Sequence, residues 1–425
     1  MIILLFVLLG LLIFIGCPIA FAIGIASLIV MKLLGLSVSL AIIKIFGGLS
    51  TFVLMAIPFF ILAGQIMEKA GIVGKIIDFA NSIIGRVRGG LGHATIIASM
   101  IFAGISGSGV ADASAIGSIL IPSMQKQGYD TDFCVAITAT ASTIGPIIPP
   151  SIPLVMYGIL TRQSIGSLFL GGIIPGLLIG FGLMVINYLI CLKRGYEFRQ
   201  EKRSTIKGVF KAAYSSFGAL IMPSIILGGI VFGIFTATEA GVIAVVYGFL
   251  FGIIVTRALK LKDLPGILIK SAEVSAMVMY IVAMSILFSQ ILSRLSFQQI
   301  ILTKILSITD IPILIVLLVT GFLLFLGCFV DPTAMIILFA PTLAKLGEQL
   351  GYNPIHFGVF IVIVMLIGAV TPPVGSMLFV ACSIGKINIE DSIGVLPPFI
   401  LVLVLVVLLI LFIPSTVLLI PNFFY

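Results

Sequence analysis

Long apolar runs, separated by short polar intervals that carry glycine and proline, fill this chain from Ile2 to Ile413. About 20 apolar residues suffice for a helix to cross a bilayer, and the runs recur on that scale. Residues 2–46 read as one bent span or two, interrupted at Gly16-Cys17-Pro18. A helix over Thr51–Met67 follows. Glu68–Gly90 then sets charges among apolar residues at helical spacing, the pattern of an amphipathic helix lying on a membrane surface. Further spans are expected at Leu168–Leu192, Phe217–Phe235, Gly241–Thr256, Ser271–Leu292 and Pro398–Ile413, with a second mixed segment at Ser293–Asp310.

The stretch Gly104–Pro153 departs from this pattern, being crowded with Gly, Ser, Thr and Pro around Asp112. It holds two helix breaks, Gly104–Gly109 and Ser142–Pro150, and the second half of the chain holds two more, Gly327–Pro332 and Gly368–Ser376. Landmarks recur between the halves. Gln65 and Gln290 lie 225 apart (290−65), as do Lys69 and Arg294; Gly128-Tyr129 and Gly351-Tyr352 lie 223 apart, as do Pro149-Pro150 and Pro372-Pro373; Asp112 and Asp331 lie 219 apart. These intervals describe an internal repeat.

Composition narrows the class. Of 425 residues, 61% are hydrophobic and 9% charged, against about a quarter charged in a soluble domain. The length allows about 10 to 12 crossings with short loops. A β-barrel would show short alternating strands, so the expected fold is an all-α polytopic membrane protein. The net charge of +8 gathers between apolar runs, at Lys193–Lys211 and at Arg257, Lys260 and Lys262, which the positive-inside rule assigns to the cytoplasm. Nucleic acid is therefore not an expected partner. The 5 cysteines are scattered and the 2 histidines form no zinc pattern. Met1–Val30 is too long and uniformly apolar for a cleaved signal. With both basic loops cytoplasmic, and Gly92–Met124 treated as a re-entrant hairpin, the two units run in opposite senses. Inverted repeats with broken helices near the midplane are the plan of secondary transporters.

Irregular backbone at membrane depth is tolerated where it is buried in protein or lines a cavity. Carbonyls and hydroxyls freed at such breaks suit a hard cation, and freed N–H groups at helix starts suit a carboxylate. The alternative is that these Gly and Pro residues only kink helices for packing. Asp112 and Asp331 follow the hairpin tips, either as cation ligands or proton carriers or as helix caps. Arg294 either pairs with a substrate carboxylate or snorkels to the interface. His93 and Ser106 do not make a hydrolase: about 13 helical residues, roughly 20 Å, separate them.

The runs GISGSGVADASAIGSILIPSMQKQGYD and TATASTIGPIIPPSIPLVMYG, with DPTAMIILFAPTLAKLGEQLGYNP and AVTPPVGSMLFVACSIGKI, resemble the large membrane subunit of TRAP (tripartite ATP-independent periplasmic) transporters. The resemblance implies an elevator-type protein of the bacterial inner membrane, a symporter rather than an enzyme, with no cofactor and Na⁺ as coupling ion. It divides the chain into scaffold helices at 1–50, scaffold helix and amphipathic arm at 51–90, and a first hairpin and broken helix of the transport domain at 91–165. Scaffold helices at 166–270, scaffold helix and second arm at 271–310, the second hairpin and broken helix at 311–390 and a C-terminal helix at 391–425 complete it. One Na⁺ site is expected around Ser106, Gly107, Ser142, Thr143 and Gly145, the other around Gly327, Gly368, Thr371 and Gly375. Arg294, Ser108 and Ser376 are assigned to the substrate, Asp112 and Asp331 to capping or support. The implied substrate is an organic acid of C4-dicarboxylate or sialic acid type. The implied partners are a soluble extracytoplasmic binding protein and a small four-helix membrane subunit, expected as a separate chain. The alternatives are a self-sufficient Na⁺/anion symporter and an anion channel.

Overall fold

In lipid a backbone must satisfy its own hydrogen bonds, and this chain does so by helices. The structure is a computed structural model that describes residues 1–84, 87–196, 206–297, 311–373 and 375–424, with no strand among them. Residues 2–46, expected as one bent span or two, instead belong to three helices, α1 (Ile2–Phe14), α2 (Ile19–Leu33) and α3 (Val38–Leu49), because Gly16 and Gly35 take left-handed conformations between them. After a 3₁₀ turn come α4 (Ala56–Lys69) and the amphipathic α5 (Ile72–Ile84), whose buried face is Ile72, Val73, Ile76, Ile77 and Ala80. Its companion segment of mixed charge, Ser293–Asp310, lies from 298 onward outside the described residues, as does 197–205 of the basic loop.

The first hairpin is α6 (Gly90–Ser106) and α7 (Gly109–Lys126); α8 (Thr131–Ala141) and α9 (Ile152–Thr161) are the halves of a broken helix. The chain continues through α10 (Ile165–Lys193), α11 (Ile206–Val231), α12 (Ala237–Leu250) and α13 (Leu264–Arg294). The second hairpin is α14 (Pro312–Gly327) and α15 (Pro332–Gln349), and its broken helix is α16 (Pro354–Gly368) and α17 (Ser376–Gly385). The short α18 (Ile389–Ser392), then α19 (Leu396–Phe412) and α20 (Ser415–Phe424), close the chain. Among the described residues, four helical stretches are long and apolar enough to cross a membrane alone; α19 and α20 pass only as a pair bent by 58°. The remaining apolar helices have 10–17 residues. Glycine, proline and capping hydroxyls cut the runs into halves, which lowers the count of full-length spans.

Most helices share one large core, and α1–α3 with part of α13 form a smaller one. The broken-helix halves are exchanged between the units: α17 packs on α7 and α8, while α9 packs on α15. With α6, α10, α14, α16 and α19 they make one densely buried body, in which every residue of α8 from Phe133 to Ala141 is buried. Around it lie α1–α3 with the far half of α13, joined through Leu5, Ile23, Phe288 and Ile291, and a second layer of α4, α5, α11 and α12.

Candidate functional site

Each hairpin tip is held against its own broken helix, by different means. At the first, Gly107 ends α6 with φ +60°, a conformation cheap only for glycine. Its carbonyl accepts the Ile152 N–H at 3.3 Å, and a Cβ there would come within 2.5 Å of the Pro150 carbonyl. Ser108 caps α7, accepting from the Ala111 N–H. Ser106 Oγ donates to one carboxylate oxygen of Asp112, which is wholly buried. The other oxygen, Oδ2, has no hydrogen-bond partner and lies against Gly145, where a Cβ would overlap it. The Ser142 carbonyl sits beside Gly109, 2.9 Å from where that residue's Cβ would be. The hydroxyls of Ser142 and Thr143 are turned back onto the Thr138 and Thr140 carbonyls, both at 2.7 Å, and so are already engaged. Pro149-Pro150 is cis.

At the second tip backbone meets backbone. A Cβ on Gly327 would lie 2.7 Å from the Gly368 Cα, so only two glycines allow this approach. Asp331 caps α15, its carboxylate accepting the Thr333 N–H at 2.9 Å. Thr371 Oγ1 donates to the Ile367 carbonyl at 2.8 Å, and Gly375, at φ +47°, packs on the Ala369 and Thr371 carbonyls. Pro372-Pro373 is likewise cis. The structural counterpart of Asp331 is Ser108, 223 residues earlier, since those two residues cap the matched helices α15 and α7. Asp112, 219 residues earlier, sits inside the first turn of α7 and bonds across the tip.

Between the two tips lies a cavity of ≈ 390 Å³. Ser106, Gly107, Ser108, Asp331 and Ser376 line it, with Gln65 and Glu68 of α4 and Lys270 of α13 on the opposite wall. Ser376 Oγ is buried without a hydrogen-bond partner. Arg294 is elsewhere, lining a small separate cavity with Lys44 and Gln290. The structure therefore brings together Ser106, Ser108, Asp331 and Ser376 but not Arg294. Sequence reasoning did not name Lys270 as a site residue; it stands near the start of α13, three residues before Glu273. No group of three or more His, Cys, Asp and Glu that could hold a metal ion occurs among the described residues. An alkali cation needs no such cluster: one orphaned carboxylate oxygen among backbone carbonyls suits a hard ion.

A helical membrane body of two matched hairpin-and-break units, with a cavity between their tips, is the plan of a secondary transporter. The chain belongs to the TRAP transporter family: residues 5–416 match the family described as "Tripartite ATP-independent periplasmic transporter, DctM component". It is 38% identical over 416 residues to the sialic acid TRAP transporter large permease protein SiaM of Vibrio cholerae, covering 97% of this chain and 96% of that one. To the C4-dicarboxylate TRAP transporter large permease protein DctM of Pseudomonas aeruginosa it is 37% identical over 380 residues, 89% of this chain and 88% of that one. The isethionate TRAP transporter permease protein DctMQ of Oleidesulfovibrio alaskensis is 38% identical over 411 residues, 96% of this chain and 64% of the relative. The chain is accordingly a multi-pass protein of the bacterial inner membrane.

Proposed function

We propose that this chain is the translocating subunit of a Na⁺-coupled importer of small organic anions. A soluble extracytoplasmic protein delivers the anion, and a small membrane subunit braces the peripheral helices. The observation that carries this reading is Ser376 Oγ, buried without a partner on the wall that Ser108 and the start of α15 share. A carboxylate in the cavity would accept from Ser376 and meet the N-terminal ends of α7 and α15, where helix dipoles favour negative charge. Na⁺ would be drawn to Asp112 Oδ2 and the Ser142 carbonyl at one break, and to the Ala369 and Thr371 carbonyls at the other. Because Ser106 bonds both to Asp112 and, through its Oγ, to the Ser108 N–H at 3.3 Å, an ion at Asp112 also stiffens the tip that faces the anion. Binding of each solute then favours binding of the other, which is coupling in thermodynamic terms.

The exchanged halves α9 and α17 make the body that would move as a unit; α1–α4 and α11–α13 would be the fixed wall, and α5 an arm. The names of the relatives carry sialic acid, C4-dicarboxylates and isethionate, all anions with a carboxylate or sulfonate. Uptake into proteoliposomes holding the chain, its small subunit and its binding protein tests the reading. Accumulation should require an inward Na⁺ gradient; accumulation that survives its removal, or that needs ATP, overturns it. Omitting the binding protein should abolish uptake, and undiminished uptake would support a self-sufficient symporter instead.

A further inference from the structure

The cavity between the tips has a counterpart of ≈ 560 Å³ at the other end of α13, walled by α3, α13, α9 and α15. The repeat relates the two walls. Continuous α13 (Leu264–Arg294) corresponds to α3 and α4 together (Val38–Lys69), which a 3₁₀ turn at Phe52–Met55 splits. Under this match Gln65 and Ile61 in the first cavity become Gln290 and Ile286 in the second, each displaced by 225. Lys270 of the first becomes Lys44 of the second, displaced by 226 (270−44). Each cavity thus takes a lysine from one repeat and a glutamine from the other. Lys270 and Gln290 lie 20 residues apart on one helix, about 30 Å at 1.5 Å per residue. Neither lysine has an ion-pair partner among the described residues.

We propose that these Lys–Gln pairs are two fixed anion stations, one serving each face of the membrane, which the moving body meets in turn. The inference rests on the transport reading and deepens it. An ammonium and an amide N–H together match one carboxylate or sulfonate, the group common to sialic acid, C4-dicarboxylates and isethionate. Arg257, Lys260 and Lys262, just before α13, put Lys270–Gln65 on the cytoplasmic side and Lys44–Gln290 on the extracytoplasmic side. The stations differ in their acids, and Asp331 also lines the cytoplasmic cavity. Glu68 lines the cytoplasmic cavity together with Lys270, whereas the position 225 later is Ser293, and among the described residues no acid lines the outer cavity. Arg294 instead lines the small cavity that shares Lys44 and Gln290. The outer station is the more positive and captures; the inner one, offset by Glu68 and Asp331, releases.

The test uses the complete complex in proteoliposomes of defined orientation, with sialic acid, succinate and isethionate as probes. Uptake from the outer face and efflux from the inner face are measured as half-saturation constants. Lys44→Gln should raise the outer constant about tenfold, the size of one charge-assisted hydrogen bond, and leave the inner one within about twofold. Lys270→Gln should do the reverse, Lys44→Arg should restore the outer constant, and Glu68→Gln should tighten the inner one. Variants that shift both faces equally, or neither face while the unaltered complex transports, overturn the stations and leave the transport reading intact. An unaltered complex that moves none of the three probes overturns both.

Discussion

The two hairpin tips perform the same structural task with different chemistry. The first is closed by side chains: Asp112 reaches from α7 to Ser106 and lies against Gly145, and residues 141–147 are all buried. The second is closed by two glycines in backbone contact, with Asp331 satisfied locally as a cap and Pro373 exposed. A repeat therefore conserves geometry, a sharp reversal beside a broken helix, without conserving the atoms that make it. The first tip keeps an unpartnered carboxylate oxygen; beside the second stand backbone carbonyls and the unpartnered Ser376 hydroxyl.

Substitution of the closing glycines separates the two designs most strongly. An alanine at Gly368 meets the Gly327 backbone, 2.9 Å from its carbonyl oxygen, and backbone there has nowhere to retreat. Gly368→Ala should cost about 3 kcal/mol or more, at the upper end of overpacking, and should reduce the folded fraction. Since the chain has no Trp, thermal stability in detergent is best followed by the fraction surviving size exclusion after heating. Gly145→Ala meets instead the end of the Asp112 side chain, which can rotate away. That variant should fold but lose most Na⁺-driven uptake. Wild-type uptake by Gly145→Ala would remove Asp112 from the site.

A milder contrast comes from neutralising the two carboxylates. Asp112→Asn keeps an acceptor for Ser106 but removes the charge beside Gly145. The Na⁺ concentration for half-maximal uptake should rise about tenfold or more, the value of one charge-assisted contact. Asp331→Asn should change it less than about twofold, because Asn caps a helix as well as Asp does. Equal effects at the two positions would mean that the tips are chemically alike after all.

Much of this contrast is legible in the amino-acid order alone. The four breaks, the hairpins and the displacement of 223 follow from Gly, Pro and Ser interrupting apolar runs, since helix breaking is a local property. The pairing of Asp112 with Asp331 is misleading because a cap is defined by backbone geometry: Ser108 is the matched cap, and two residues of different type conceal the match. That α9 and α17 are exchanged between the units depends on long-range packing, which periodicity does not encode. Lys44 and Lys270 are visible as cations in largely apolar helices. Their shared role emerges only when α3 and α4 are set against the unbroken α13.

The smallest difference lies at the starts of α8 and α16, where Gly128-Tyr129-Asp130 meets Gly351-Tyr352-Asn353. Asn353 caps its own helix, accepting the Ile355 N–H at 2.9 Å, whereas Asp130 makes no cap. Its carboxylate instead binds Arg194 at 2.8 Å and the Tyr196 hydroxyl at 2.6 Å, fastening the end of α10 to α8. Asn353→Ala should cost about 1 kcal/mol, the usual value of a cap. Asp130→Ala should cost less, at most about 1 kcal/mol, because the pair is solvent-exposed and salt screens it. The two should also differ in pH dependence. Partial burial first, and the bond to Asp130 second, push the Tyr196 phenol up to about 12 from an ordinary value of 10.0. A raised folded-state value means that the folded protein holds the proton more tightly. The stabilisation is complete below pH 10 and disappears as pH rises through about 12. Stability curves from about pH 8 to 12 should therefore show an alkaline loss that Tyr196→Phe removes and Asn353→Ala leaves in place. An alkaline loss unchanged in Tyr196→Phe would dissociate this contact from the stability of the α8–α10 junction.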